Sequence, residues 1–390
     1  MNILRRASTR QLLIAIVAVI VVAAGSAVAF AGGGGPKPPH RSLAAALHHA
    51  ATAKPVQGVT ARVKFTDHLI PSGSLGTSSP LITGATGRVW AGSGKLRLEL
   101  QSSAGDTEIG FDGSKVTVYD VAKGTAYTLA VPRHKHASDH AHHAVPSVAT
   151  IQRTLAKLSR HVDLSGAIAG DIAGQPSYTV RVSPRHSGGL LGSVQLAWDA
   201  THGVPLRIAV YSRTDSSPVL SLEVTDISFG AVPASDLAVS LAPGTKVVPV
   251  HMPAHPAHPA GMKTSAHRPE VTGAAAVAKA LPFRLSAPAS VVGLPRQSVR
   301  LVNWSGSQAA MAVYGHGLGA LVVLEQPATA TGSKSSPLGQ LPGVSIGGAS
   351  GHELDTALGT LIQFDRAGVR YTVIGSLPPA AAEAAARAIG

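Results

Sequence analysis

Between residues 58 and 230, apolar and polar positions alternate in short runs fenced by glycine or Asp-Gly-type turns, and a period of two marks half-buried β-strands. The first run, "GVTARVKFTDHL" (58–69), puts Val59, Ala61, Val63 and Phe65 on one face and polar neighbours on the other. "GATGRVWAG", "GKLRLELQ", "GDTEIGFDG", "KVTVYDVAKG" and "TAYTLAV" follow as a meander of antiparallel strands. Four more strand-like runs are expected in 173–212, "AGQPSYTVRVSPRHSGGLLGSVQLAWDATHGVPLRIAVYS", and "PVLSLEVTDISFG" (218–230) closes the set. Two stretches change to a helical period. "SLAAALHHAATA" (42–53) predicts a short helix with Ser42 as N-cap. "SVATIQRTLAKLSRH" (147–161) predicts a longer one, with Val148, Ile151, Leu155 and Leu158 as its apolar stripe. Farther on, strands are expected at about 309–315, 318–326, 359–366 and 369–375, then an Ala-rich helix after Pro378 and Pro379. The pattern predicts an α+β chain, mainly antiparallel β, whose large sheet needs a cover over one face.

Shifts in composition divide the chain. Residues 1–11 carry Arg5, Arg6 and Arg10 without an acid, and 12–31 hold no charge at all. Such a run is long enough to span a bilayer, with the basic flank cytoplasmic, and its Ala-x-Ala ending equally fits a cleaved leader. A signal anchor or signal peptide over 1–31 places the remainder outside the cytoplasm in either case: on the cell membrane, or in the envelope or secreted if cleaved. Residues 32–42, opening "GGGGPKPPHR", read as a linker, and 249–270, "PVHMPAHPAHPAGMKTSAHRPE" with its flanks, as an extended Pro/Ala/His linker. Two folded units are then expected, 43–248 and 271–390.

Charge and chemistry narrow the function. Lys and Arg number 33 against 20 Asp and Glu, a net charge of +13, which favours an anionic partner such as a membrane surface or an acidic envelope polymer. The cations are scattered, with no basic stripe interleaved with aromatics, so nucleic acid is not expected as a partner. Cysteine is absent, which excludes disulfides, thiolate metal sites and a lipidated cysteine. His134, His136, His140, His142 and His143 cluster in "RHKHASDHAHHAVP" (133–146) with only Asp139 nearby, and read as a solvated insertion in preference to a metal site. His255 and His258 lie in the Pro-rich spacer, which does not preorganise ligands. "GHGLG" (315–319) falls between two strands and reads as a hairpin turn, and no Gly-x-Ser-x-Gly elbow stands at a strand-to-helix turn. Neither an enzymatic activity nor a cofactor or metal is expected.

The order of these pieces, above all Trp90 in its strand, "DGSKVTVYD" from Asp112 and "WDATHGVPLRI" from Trp198, resembles the LolA-like superfamily of lipoprotein carriers and RseB/MucB sigma-factor regulators over 43–248. The type is that of a membrane-anchored actinobacterial member. "AMAVYGHGLGALVVLEQP" (310–327) and the stretch from Gly351 resemble the small C-terminal α+β domain of the RseB/MucB branch. There the family's Val-Gly-Glu-Pro-like step is replaced by Ile374, Gly375, Ser376, Leu377 and Pro378. The resemblance implies an incomplete β-barrel with helices in its mouth and an apolar hollow for an acyl chain, a lipoprotein or a lipidated polymer. It also implies an envelope sensor contacting an anti-sigma factor or another membrane protein. A lipoprotein carrier or chaperone is the alternative, and a structural interaction protein with a self-filled barrel is a third reading. The residues expected to line the hollow are Phe65, Val89, Trp90, Leu96, Leu98, Ile109, Val116, Val118, Ile151, Leu155 and Leu158, with Val63 beside them.

Overall fold

The computed structural model describes residues 35–70, 80–131, 145–185, 189–250, 271–304, 307–328 and 341–389. The apolar run at 12–31, the five clustered histidines and residues 251–270 of the spacer lie outside the described residues. Among the described residues no helix is long and apolar enough to cross a membrane.

The first sheet has thirteen strands. They are β1 (Gly58–Asp67), β2 (Ala85–Gly92), β3 (Lys95–Ser102), β4 (Gly105–Phe111), β5 (Lys115–Asp120), β6 (Thr125–Ala130), β7 (Val162–Leu164), β8 (Ile168–Ile172), β9 (Gln175–Pro184), β10 (Leu191–Asp199), β11 (Pro205–Ser212), β12 (Pro218–Phe229) and β13 (Lys246–Val250). Their spatial order is β13-β6-β5-β4-β3-β2-β1-β12-β11-β10-β9-β7, with β8 paired to β9. Every pairing is antiparallel except that of β13 with β6. The stretch 173–212 holds three strands and not the four expected, because Leu191 already belongs to β10 and forms no run of its own. A register shift between Arg62 and Val63 bends β1 against β12, as bulges do.

Three helices accompany this sheet: α1 (Leu43–Thr52), the short α2 (Pro80–Thr83) and α3 (Val148–Leu158). Ser42 and Ser147 cap α1 and α3 by accepting from the amides of Ala45 and Thr150; the Ser42 cap was expected, and Ser147 adds one at the start of the helix read from its apolar stripe. The approach to α1 is not the free tether that composition alone predicts: Pro38 is buried, and the Tyr178 hydroxyl donates to the Pro39 carbonyl at 2.6 Å. A Pro-rich strand has few N–H groups to satisfy, so a single side-chain donor can dock it.

After β12 the chain crosses the outer face of the sheet as a strap. Its Leu237 and Val239 lie over Gly92 and Gly110, where an added Cβ would come within 3.8 Å and 2.4 Å of their methyl groups. A residue with a side chain at Gly110 would push the strap away. The strap ends where Tyr119 meets Thr245 and β13 joins the β6 edge.

The second sheet has eight strands in the order β14-β15-β16-β17-β21-β20-β19-β18. These are β14 (Ser290–Val291), β15 (Leu294–Trp304), β16 (Ser307–Tyr314), β17 (Leu321–Pro327), β18 (Gly343–Ile346), β19 (Ala349–Thr356), β20 (Gly359–Arg366) and β21 (Val369–Gly375), accompanied by α4 (Ala274–Ala280) and α5 (Pro379–Ile389). The four strands and terminal helix expected here are present, whereas β14, β15, β18, β19 and α4 gave no recognised signal. The hairpin reading of "GHGLG" holds, since it joins β16 to β17. Ala382, Ala385, Ala386 and Ile389 line one face of α5 and are buried on Val323, Ile362, Phe364 and Val373. Small side chains let the helix lie close, and the core between helix and sheet is filled.

The two sheets meet at Ser376, the residue that stands in the altered family step. Its Oγ donates to the Leu358 carbonyl and accepts from the Leu190 amide, both at 2.8 Å. A second bond joins the Ala357 amide to the Leu69 carbonyl at 3.0 Å.

Candidate functional site

The inner face of the first sheet is continuous across strands. Leu98 stands opposite Val89 and Ile109, Val89 opposite Ala61, and Ile109 opposite Val118. On the other side of β1, Val224 and Leu222 face Val63 and Phe65, and Ile208 adjoins Leu222. Because the sheet curls, these rows converge on a cavity of about 310 Å³. Its wall comes from five strands: Val59, Ala61 and Val63 of β1, Val89 and Ala91 of β2, Leu96 and Leu98 of β3, Leu206 and Ile208 of β11, and Leu222, Val224 and Ile227 of β12. Such a volume lies at the lower end of the range for small-molecule pockets.

The wall is apolar apart from Arg207. That charge is tied up: its Nη2 donates to the Tyr211 hydroxyl at 2.9 Å, and its Nε lies 3.2 Å from Glu223 Oε2, near enough for an ion pair though not aligned for a hydrogen bond. Arg207 stands between the wall residues Leu206 and Ile208 on β11, so its side chain is on the opposite face of the sheet beside Glu223, and its charge does not point into the hollow.

Two apolar clusters flank the cavity. On one side, Leu98, Leu100, Ile109, Val116 and Val118 pack with Leu81 of α2. On the other, Leu43 and Ala46 of α1 join Tyr178, Val180, Trp198 and Leu206, with Leu155 of α3 against them. Leu206 belongs to this second cluster and to the cavity wall, so the cluster that carries α1 and α3 adjoins the hollow. The turn "DATHG" holds them in place. Asp199 is fully buried, and its Oδ1 accepts from the amides of Thr201 and His202 and contacts His202 Nδ1 at 2.8 Å. His202 packs on Phe229 with ring centres 4.2 Å apart and the rings tilted by 37°. Gly203, at φ +70°, lets the chain pass beneath the carbonyl of Ala50 at the end of α1.

The expected lining residues separate into groups. Val63, Val89, Leu96 and Leu98 are in the wall. Phe65, Ile109, Val116 and Val118 belong to the adjoining cluster, and Leu155 to the helical one. Trp90 is on the outer face, where the Arg97 guanidinium lies 5.2 Å from its ring. Adjacent strand residues face opposite ways, so Val89 and Trp90 could not both line one hollow. Ile151 is half-buried and Leu158 is 44% exposed, because α3 reaches the helical cluster through Leu155 and its last turn runs past it. The lining from β11 and β12 was missed, although Leu206, Ile208, Leu222 and Val224 keep the same alternation as the strands that were used.

Buried carboxylates occur away from the cavity. Desolvation raises Asp67 to about 6, partly opposed by the Leu69 amide it accepts from. In the second sheet desolvation raises Glu325 to about 7, against the Ser286 amide that donates to it at 2.8 Å. Among the described residues no three potential metal-ligating side chains cluster.

No protein-family model and no curated protein matches the chain. Solved structures do. The MucA/MucB complex of Pseudomonas aeruginosa has 17% identity and a TM-score of 0.42, covering 88% of this chain and 96% of that one. A LolA superfamily protein from Nitrosomonas europaea has 11% identity and a TM-score of 0.21, covering 51% of this chain and 99% of that one. An uncharacterised conserved protein from Thermus thermophilus has 11% identity and a TM-score of 0.34, covering 53% and 98%.

Proposed function

We propose that residues 43–248 form a non-enzymatic, extracytoplasmic binding unit of the LolA/RseB type that holds an acyl chain, free or carried by a lipoprotein or lipidated polymer. One observation carries the reading: a cavity of about 310 Å³ with an apolar wall, from which the paired Arg207 side chain turns away. Water in such a space finds few hydrogen-bond partners, whereas each enclosed methylene contributes about 0.8 kcal/mol. An acyl chain with half its length enclosed therefore binds with a dissociation constant of roughly micromolar or tighter after association costs. In the sensor form of the proposal, residues 271–390 follow the spacer 249–270 and pass occupancy to a membrane protein such as an anti-sigma factor across the Ser376 junction.

Mass spectrometry of organic extracts of the purified full chain tests the reading. A stoichiometric acyl species is expected, and Ala91→Phe, which places a ring in the hollow, should displace it. A wild-type chain that carries no acyl species and takes up no added fluorescent fatty acid would leave the interaction-protein alternative.

A further inference from the structure

The helix α3 is amphipathic, yet none of its residues is fully buried. Its apolar stripe turns toward α1, with Leu155 on the helical cluster. The side facing away is cationic. Arg153, Lys157 and Arg160 follow at intervals of four and three, one stripe along the helix and its closing turn, and all three are exposed. No acid occurs from Val148 to His161. Among the described residues, Arg153 bonds only to Thr150, and none of the three is in an ion pair. Of the acids on adjoining strands, Asp163 is held by Arg185 at 3.2 Å, and Asp171 is packed against Gly35 with its Oδ2 buried, in no ion pair with the stripe. Two more exposed cations without ion pairs, Lys37 and Arg41, stand just before α1, the helix on which α3 packs.

Cations in a last helical turn commonly offset the helix dipole, which accounts for Lys157 and Arg160. It does not account for Arg153 near the middle, nor for the absence of any acid. Exposed Val145 and Leu158 flank the stripe at its two ends, 38% and 44% exposed. Basic side chains bordered by apolar ones suit the headgroup layer of an anionic bilayer better than a soluble polyanion, which offers nothing to the apolar flanks.

We propose that α3 is a docking helix by which the side of the half-barrel that carries α1 and α3 sits on an anionic lipid surface. Its outward stripe meets the headgroups, while its inward stripe keeps hold of the cluster beside the hollow. The inference goes beyond the binding reading and does not require an occupied cavity. Each basic residue near an anionic surface favours association about fivefold, so three act together on the order of a hundredfold, less at high salt.

The natural chain has no cysteine, so a single Ala156→Cys places one fluorophore beside the stripe. Full-length chain would be reconstituted with phosphatidylcholine vesicles, with or without phosphatidylglycerol, and quenched with aqueous iodide. Several-fold protection is expected with phosphatidylglycerol only, reversed by high salt and abolished by Arg153→Glu, Lys157→Glu and Arg160→Glu together. A label at Val247→Cys, 51% exposed on β13, reports the quenching of a surface away from the helix and should not change. Equal quenching in both vesicle types, or protection that survives the charge reversals, would overturn the proposal. Protection by soluble polyglutamate and not by vesicles would also overturn it and make the partner an acidic polymer. Since all substitutions are on exposed positions, hydrogen exchange of β9 and β10 verifies that the variants remain folded. Extraction of bound acyl species, measured on the same samples, separates failure of docking from failure of the binding reading.

Discussion

The two sheets solve one problem differently. Both are antiparallel meanders with an apolar face, but the second covers its face with α5, whose alanines close onto Val323, Ile362 and Val373. The first curls over its own face and leaves about 310 Å³ between strands, with its helices in the clusters on either side and none in the wall. Filling requires a helix with small residues at the contact, and a hollow requires a sheet long enough to bend with no such helix laid along it. The difference predicts opposite responses to added and removed volume.

The largest effect is expected where the core is filled. Phe364, 2% exposed and stacked on Tyr371 at 5.1 Å, should cost about 3–5 kcal/mol when replaced by alanine, read as earlier denaturant unfolding of the second sheet by hydrogen exchange. A loss below about 1 kcal/mol would show that this core is not filled.

Next comes the pH response of Glu325, which has no exposed surface. Its folded pKa of about 7 lies above the unfolded value near 4.5, so the folded state holds its proton more tightly. That stability is fully present below about pH 4 and is lost as pH rises toward and through 7, roughly 3 kcal/mol in all. Asp67, raised to about 6, adds a smaller loss of the same sign in the first sheet. Glu325→Gln should flatten the response of the second sheet between pH 5 and 8 and leave that of the first. An unchanged slope would exclude Glu325 as its source.

The last two substitutions form a pair. Ala385→Leu forces three carbons into the filled core and should destabilise by about 1–3 kcal/mol. Ala61→Leu adds the same carbons to the wall of the hollow and should change stability by less than about 1 kcal/mol, while reducing fatty-acid uptake. Equal costs at both sites in denaturant titrations would remove the contrast.

Most of this contrast can be traced to particular residues in the chain. Period-two alternation located β1 to β6, β11 and β12, the Ser42 cap located α1, and the apolar stripe located α3. It also put Val89 and Leu98 on one face, and taken strictly it would have excluded Trp90. Alternation does not say how far a sheet curls, so a wall shared by β1, β3 and β12 was not visible as one site. The strap over Gly92 and Gly110 was hidden for another reason: in "AVPASDLAVSLAPGT" (231–245) the alternation is confined to Leu237, Val239 and Leu241 between Pro233 and Pro243, too short to signal what it crosses. In the second sheet β15 was lost because Arg296, Arg300 and Asn303 interrupt its apolar positions.

The pairing of β1 with β12, Val59 opposite Phe229, also sets a timetable. As the chain is made, β1 to β6 can collect into a meander early. Its end strand β1 then keeps one bare edge until nearly all of the first sheet exists, and the strap and β13 come later still. At synthesis rates of about 5–20 residues per second, that edge and the apolar concavity beside it stay open on the order of ten seconds or more. Contacts so distant in sequence form slowly. The chain is thus expected to need an escort before it is finished, and the strand that makes the hollow possible is also where an unfinished molecule is most prone to pair with another.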